Sequence, residues 1–419
     1  MPYDAPQTTI SARAGGPGEI PETPLVVRLT ALGRELTNIS DWSISSAFMT
    51  STDAFEFTYY DEDIEKTRNL ELQPVELIVY GATRLIGRID GTRRGRNGYS
   101  VICRGRDFMA DLVESNVDPL LNIHAGEDLL GAIVKTAGPV GINTVFDDDG
   151  AMRNLRAGRK AHIKTKPRKG KKKSKSKLNP YKPMPGQGIY EYLNKIMARE
   201  GVTIQPGPNR NTVVLASPNY DQDPLYQIRR TREQAQGVYN NIESAEADRD
   251  FSSFPTYTLV QGAFAQAGSK GEHGTEAIDM WALAARFKTE LGRILQASTV
   301  SSRWPPGKPT ATEVLAGTLY RLLVFRDQDA RTEEQIEKAA KRAVAERLKE
   351  TLQYSVTLKG HVAPDSGALY THDTIVNVND DIADVHEELW VESCKLHYSS
   401  NEGPKTELVC WRPEGFDIE

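Results

Sequence analysis

The sequence predicts a mainly-β, multidomain protein with α+β and helical insertions, on three observations. Short segments with an apolar residue at every second position dominate both ends of the chain. In residues 354–359, Tyr354, Val356 and Leu358 fall on one face while Ser355, Thr357 and Lys359 fall on the other, the pattern of a half-buried antiparallel strand. Turn-forming runs such as Asp365-Ser366-Gly367 and Asn401-Glu402-Gly403-Pro404 separate these segments. Helical spacing is confined to the interior of the chain. At 419 residues the chain exceeds what one core organises, so about two to four domains are expected.

Residues 1–24 are rich in Pro, Gly, Thr and Ala and lack an apolar core, which reads as a loose arm and not a secretion signal. Residues 25–112 form an all-strand unit. Val75, Leu77 and Val79 alternate with Glu76 and Ile78, strands at 85–89 and 99–104 follow, and 91–98, glycine at both ends, reads as a long hairpin loop. Residues 105–112 read as a strand entering a short helix.

Residues 113–235 read as an α+β unit. Leu129, Leu130, Ile133 and Val134 place a helix at 126–137, with a strand near 143–146. A basic loop at 151–185 follows, then a helix at 188–200 carrying Ile189, Leu193, Ile196 and Met197 and stopped by Gly201. A hairpin joins 202–205 to 212–216. Strands return in 236–263. Residues 264–351 read as a helical insertion, with an amphipathic helix at 275–296 and a charged helix opening on the capping box Thr332-Glu333-Glu334-Gln335. Residues 352–419 hold four strands that read as a small barrel or sandwich, completing the set begun at 236–263. This strand set and the first share an order of strand, glycine-containing turn and strand, an internal repeat.

Charge is unevenly placed. Residues 151–190 hold 14 Lys or Arg and no Asp or Glu, which leaves 38 basic against 57 acidic residues, a net −19, on the rest of the chain. The run Arg168, Lys169, Lys171, Lys172, Lys173, Lys175 and Lys177 suits salt-dependent phosphate binding, but no aromatic residues interleave with it for base stacking. The plainer readings are a solvated loop, or a strap pairing with an acidic neighbouring face; a contact to a partner protein or to DNA stays open.

No apolar run approaches 18 residues, which excludes a membrane-spanning helix. Cys103, Cys394 and Cys410 lie in expected strands and read as reduced, buried thiols. Cys394 and His397 have metal-like spacing, but they point to opposite faces of a strand and want further ligands. Asp147-Asp148-Asp149-Gly150 lacks the ligand alternation and closing Glu of a calcium loop. Gly360-His361 with Asp365 or Asp373 has no nucleophile in a recognisable elbow, so His361 reads as structural. No catalytic residue, metal site or cofactor is expected.

Residues 99–107 (Tyr-Ser-Val-Ile-Cys-Arg-Gly-Arg-Asp) with Asp111-Leu112-Val113 resemble the end of the first barrel in Mu-like phage tail hub proteins. Residues 185–196 (Pro-Gly-Gln-Gly-Ile-Tyr-Glu-Tyr-Leu-Asn-Lys-Ile) resemble a helix of the α+β domain inserted in that family. In 356–416, Gly360-His361, Asp365 to Tyr370, Val376-Asn377-Val378 and Glu402 to Leu408 resemble its C-terminal barrel. The resemblance covers most of residues 25–416. It implies two similar tube-like barrels, with Gly105, Arg106, Asp107, Gly360, Gly367 and Gly403 at motif positions that serve structure. It further implies a non-enzymatic, homotrimeric baseplate hub of a contractile tail, related to the N-terminal half of type VI secretion spike proteins. The implied partners are the tail tube or its initiator, the central spike, baseplate wedge proteins, the tape measure protein and DNA in passage. The implied location is the virion tail baseplate, assembled in the host cytoplasm. The acidic body suits a conduit that does not hold a passing polyanion. The alternatives are a tail-associated peptidoglycan-degrading enzyme and the hub of a type VI-like injection system.

Overall fold

The computed structural model describes residues 25–61, 68–95, 99–121, 129–147, 183–197, 202–220, 222–232, 239–250, 257–261, 322–326 and 352–413. The arm 1–24, the basic run 168–177, Asp148 to Gly150 and the helices expected at 275–296 and from 332 lie outside them. The chain divides into two compact units, Met1–Glu246 with Ser355–Cys410 and Ala247–Tyr354 with Trp411–Glu419.

The first strand set comprises β1 (Leu25–Leu29), β2 (Arg34–Leu36), β3 (Ile39–Ala47), β4 (Ala54–Tyr60), β5 (Pro74–Val79), β6 (Ala82–Arg94) and β7 (Ser100–Asp107). Its pairings, all antiparallel, run β2-β1-β5-β6-β7-β4-β3. Only Thr37 and Asn38 separate β2 from β3, and Arg34 of β2 donates to the Tyr59 hydroxyl of β4 at 2.7 Å, which brings the two ends of the ladder together as in a small barrel. The period-two pattern makes this possible: Val27, Leu29, Leu36, Ile44, Phe57, Leu77, Ile89, Val101 and Cys103 are buried and alternate with partly or fully exposed residues.

One expectation is corrected here. Residues 91–94, read as part of a loop, continue β6, with Thr92 opposite Cys103 and Arg94 opposite Val101. Gly91 marks a register shift in the ladder and not a turn, because β7 supplies partners for four more residues.

The α+β region holds α1 (Ala110–Glu114), α2 (Leu129–Ala137), β8 (Thr144–Asp147), α3 (Ile189–Met197), β9 (Thr203–Pro206) and β10 (Thr212–Ala216). β10 pairs parallel with β8 and antiparallel with β9, the hairpin expected from the sequence. Ile133, Ala137, Tyr192, Leu193 and Met197 from the helices pack with Ile204, Val213 and Leu215 of this small sheet. Gln205, on the other face of β9, is buried and donates from Nε2 to the Phe48 carbonyl at 2.8 Å, which ties the sheet to the end of β3.

The second strand set begins with β11 (Tyr226–Arg230) and β12 (Ile242–Asp248). In the second unit β13 (Tyr257–Gln261) pairs parallel with β14 (Leu322–Arg326). The latter places a strand within 264–351, read from the sequence as a helical insertion: a four-residue apolar run is too short for its period to be read. The set ends with β15 (Gln353–Lys359), β16 (Ile375–Asp380), β17 (Val385–Ser399) and β18 (Gly403–Trp411). Its order is β11-β16-β17-β18-β15-β12. Buried Asn241, just before β12, accepts from the Arg229 N–H through Oδ1 and donates through Nδ2 to the Gln227 carbonyl. Its own N–H donates to the Arg229 carbonyl, so one residue stitches β12 back to β11.

The two sets repeat each other down to single hydrogen bonds. Tyr60 N–H donates to the Asn38 carbonyl, and Lys359 N–H to the Asn241 carbonyl. Asp61 donates to Tyr99 and Gly360 to Pro404. Ile89 donates to Gln73 and accepts from Leu72, as Val391 donates to Thr374 and accepts from Asp373. Leu72 and Asp373 share a left-handed backbone, φ 62° and 57°. In chain order β11, β12, β15, β16, β17 and β18 therefore match β1, β3, β4, β5, β6 and β7. One strand departs: β11 runs parallel to β16, whereas β1 runs antiparallel to β5.

Candidate functional site

The feature that sets this chain apart is the seam where its two strand sets become one sheet. β6 and β17 are both longer than the strands beside them. β17 spends its first part, Val385 to Trp390, pairing with β16 of its own set, and its second part, Ser393 to Tyr398, pairing antiparallel with Ala47 to Trp42 of β3. The result is a continuous order β12-β15-β18-β17 followed by β3-β4-β7-β6, two four-strand blocks of identical internal order laid head to tail.

Buried polar groups lock the seam. Phe48 N–H donates to the Glu392 carbonyl at 2.9 Å. The Ser46 hydroxyl donates to the Cys394 carbonyl at 3.3 Å and accepts from His372 Nδ1 at 3.1 Å. Arg84 reaches from β6 to donate to the Tyr370 carbonyl at 3.1 Å. His361 Nε2 donates to the His397 carbonyl at 2.8 Å, with its ring 4.9 Å from that of Trp42 and 6.0 Å from that of Tyr80. Burial pushes the His361 imidazole down to about 4, so it is neutral near pH 7. Asp365 and Asp373 are engaged elsewhere, accepting from Gln227 N–H and Trp390 Nε1 respectively, so neither forms a pair with His361.

That burial makes the seam acid-sensitive. Below about pH 6.5 the unfolded chain takes up a proton at His361 that the folded chain refuses until about pH 4. Stability is thus lost as pH falls through this window, by roughly 3 kcal/mol for this group. His361→Gln keeps a donor and removes the titration. Its unfolding midpoint is expected to fall less than the wild type's between pH 7 and pH 4.5; equal falls would remove His361 as the cause.

The solvent-facing side of the eight strands is charged but self-paired. Lys395 contacts Glu407 at 3.1 Å, Lys405 contacts Glu243 at 2.9 Å and Glu402 at 3.0 Å, and Arg104 contacts Glu56 at 2.9 Å. Arg88 and Arg106 share Asp90 at 2.9 and 2.8 Å and also bind Glu114. The face is therefore a mosaic of ion pairs and small networks in which carboxylates slightly outnumber cations.

The motif residues occupy structural positions. Gly105 sits where an added Cβ would lie 2.0 Å from the Arg88 carbonyl oxygen, and Gly360, Gly367 and Gly403 take positive φ. Asp107 is buried; its carboxylate accepts from the N–H groups of Asp53 and Met109, which turns β7 into α1. Arg106 belongs to the ion-pair mosaic. Cys103, Cys394 and Cys410 are buried and free, with burial pushing the Cys103 and Cys394 thiols up to about 12. Cys394 faces the core while His397 faces outward beside Glu407 at 3.4 Å. Among the described residues no group of three or more His, Cys, Asp or Glu is placed to hold a metal ion, and no helix is long and apolar enough to cross a membrane. Sequence reading did not single out Ser46, Arg84 or His372, whose partners lie hundreds of residues away, or Asn241, whose partners are backbone groups that composition does not mark.

Two strand sets sharing one sheet, with an α+β region between them, make up a fold that this chain shares with solved phage tail proteins. The chain matches the tail protein from Neisseria meningitidis with TM-score 0.65 and 19% identity, over 94% of this chain and 97% of that one. It matches the 43 kDa tail protein of prophage MuSo2 from Shewanella oneidensis with TM-score 0.62 and 16% identity, over 94% and 99%. It matches prophage tail protein gp18 from Listeria monocytogenes with TM-score 0.50 and 11% identity, over 92% and 94%. At these identities the likeness is one of fold, and it is the fold that the Mu-like resemblance implied. No protein-family model and no curated protein sequence matches the chain.

Proposed function

We propose that this chain is the structural, non-catalytic hub of a contractile phage-type tail: a homotrimeric ring that joins the tail tube to the central spike and forms the channel for the tape measure protein and DNA. The observation that carries the reading is the head-to-tail repeat of two four-strand blocks in one sheet. Three such chains present six equivalent barrels, which adapts a sixfold tube to a threefold spike. Twenty-four strands spaced about 4.8 Å apart enclose a ring roughly 37 Å across, and about 5 Å of side chain on each wall leaves a bore of roughly 27 Å. Packed helices about 10–12 Å in diameter pass through such a bore. The paired charges of the sheet face would line it and grip neither sign of cargo.

In this reading residues 25–112 and 236–263 with 352–419 are the tube-like domains, 113–235 is the outer α+β domain, 264–351 is an insertion and 1–24 is an arm. Wedge proteins, the tube end and the spike are the partners, in the baseplate of a virion assembled in the host cytoplasm. Light scattering on the purified chain tests the core of the proposal: the expected mass is three times 46.5 kDa. A monomer at every concentration tried would count against it.

A further inference from the structure

Beyond the hub reading, and independently of it, we infer that the flank of the second strand set carries a docking cleft for a single carboxylate, presented by a side chain of a protein that packs against that flank. The cleft, of about 210 Å³, lies across β11, β16 and the start of β17. Buried Ile228 and Val378 underlie it, and Gln227, Arg229, Asn377, Asn379 and His386 line it from the exposed face. The first strand set shows which group is missing here. On its own flank Arg28 of β1 stands opposite Glu76 of β5 and binds it at 2.8 Å, with Glu35 of β2 at 3.0 Å. Leu72 matches Asp373, so Glu76 matches Asn377, four residues further on in each set. The acid has become an amide. Gln227 stands opposite Asn377 and Arg229 opposite Asn379, so both strands offer Arg229 only amides. Its guanidinium keeps one long contact, from Nη2 to Gln227 Oε1 at 3.4 Å, and no ion pair among the described residues. Arg34, Arg88, Arg106 and Arg230, also partly buried, each bind a carboxylate.

Arg229 is held in place for such a partner. Asn241 fixes its backbone, accepting from its N–H at 2.8 Å and donating to its carbonyl at 3.2 Å. His386 Nδ1 donates to Asn379 Oδ1 at 2.6 Å, which turns the Asn379 amide hydrogens away from the imidazole. Gln227 and Asn377 add further amide hydrogens. The cleft thus combines N–H donors with one uncompensated guanidinium, the set that takes a carboxylate in a bidentate pair. Acids at its margin limit the charge it accepts. Asp381 and Asp384 lie 3.8 and 3.9 Å from His386 Nε2, Asp365 accepts from the Gln227 N–H, and Glu388 stands opposite Asn377. These repel a phosphate or other multiply charged anion and admit one carboxylate set among neutral or basic groups. The seam engages β17 only from Ser393 onward, so β11 and β16 lie off the sheet face that would line the bore. A ring of three chains would therefore present three open clefts on its outside, the three Arg28 positions being already filled from within.

The probe is N-acetylglutamic acid methylamide, a lone side-chain carboxylate, titrated into the full chain while the side-chain nitrogen signals of isotope-labelled arginine are followed. The Arg229 signal, assigned by its loss in Arg229→Gln, is expected to shift saturably with a dissociation constant on the order of 1 mM. The matching glutamine amide is expected to cause no shift. Asn377→Glu supplies the missing acid within the chain and is expected to weaken probe binding by about tenfold or more, with an unfolding midpoint no lower than the wild type's. Arg28→Gln is expected to bind the probe as the wild type does. Equal shifts with the glutamine analogue, tighter binding of inorganic phosphate, or undiminished binding to Asn377→Glu would overturn the carboxylate cleft. Binding of free acetate in the micromolar range would mark a small-molecule site and overturn the docking of a protein side chain. The mass of the assembly enters none of these readouts, so the hub reading stands or falls separately.

Discussion

Replacing Gly105 by Ala is expected to destabilise the first barrel by about 3 kcal/mol or more, enough to lose soluble protein or to lower the unfolding midpoint sharply. The reason lies in how β6 and β7 cross. Ile89 faces Gly105 and Gly87 faces Asp107, and the strands approach so closely that a Cβ on Gly105 would sit 2.0 Å from the Arg88 carbonyl oxygen and 2.4 Å from Phe55 Cζ. A backbone oxygen cannot rotate away as a side-chain tip can, so relief requires parting the strands. The Phe55 ring lies over the bare glycine from β4, where Phe55 is the cross-strand partner of Gly105, and it stacks on Phe57 at 6.0 Å. Denaturant midpoints measured beside Gly91→Ala, whose added Cβ meets nothing within 4 Å, isolate the effect. Equal midpoints for the two variants would mean that the strands are not held at this spacing.

The strands were legible where one face is buried and the other wet. Tyr354, Val356 and Leu358 were read inward from alternation alone, and all three are buried. The hairpin at 203–216 was legible from its Pro-Gly-Pro-Asn turn. The end of β6 was not, since Gly91, Arg93 and Arg94 look like turn and surface residues; what makes them strand is the partner β7, which local composition does not encode. The repeat was legible only as an order of elements. Its physical basis is backbone hydrogen bonding that different side chains satisfy equally, with Leu72 taking the left-handed conformation that Asp373 also takes. A leucine there gives no signal of positive φ. The seam was the least legible part, because the Ser46 hydroxyl and the Cys394 carbonyl are 348 residues apart in sequence. Pairing at that separation is a property of the closed fold.

Removing the carboxylate of Asp380 is expected to cost about 3–5 kcal/mol, because it would strand a mostly buried guanidinium. Arg230 at the end of β11 binds Asp380 at the end of β16 in a bidentate pair, 2.9 and 2.7 Å, with the carboxylate side chain fully buried. The same Oδ1 accepts from the N–H groups of Ile382 and Ala383, so Asp380 also shapes the turn that delivers the chain into β17. Three consequences converge on this residue. It anchors the one strand that departs from the repeat, since β11 runs parallel to β16. It lies beside the closure of the second strand set, because Arg229, next to Arg230, is hydrogen-bonded to Asn241. It also sets the start of β17, whose continuation is the seam with β3. Asp380→Ala should therefore lower the unfolding midpoint by more than Asp380→Asn, which keeps the size and one acceptor. It should also speed amide exchange in both β16 and β17, so that the loss spreads beyond the mutated turn. Ablating the exposed pair to Arg28 by Glu35→Ala should leave the midpoint nearly unchanged, since surface ion pairs contribute little. If Asp380→Ala and Glu35→Ala were equally mild, the buried pair would not be what holds β11 in place, and closure of the second barrel would fall to Asn241 alone.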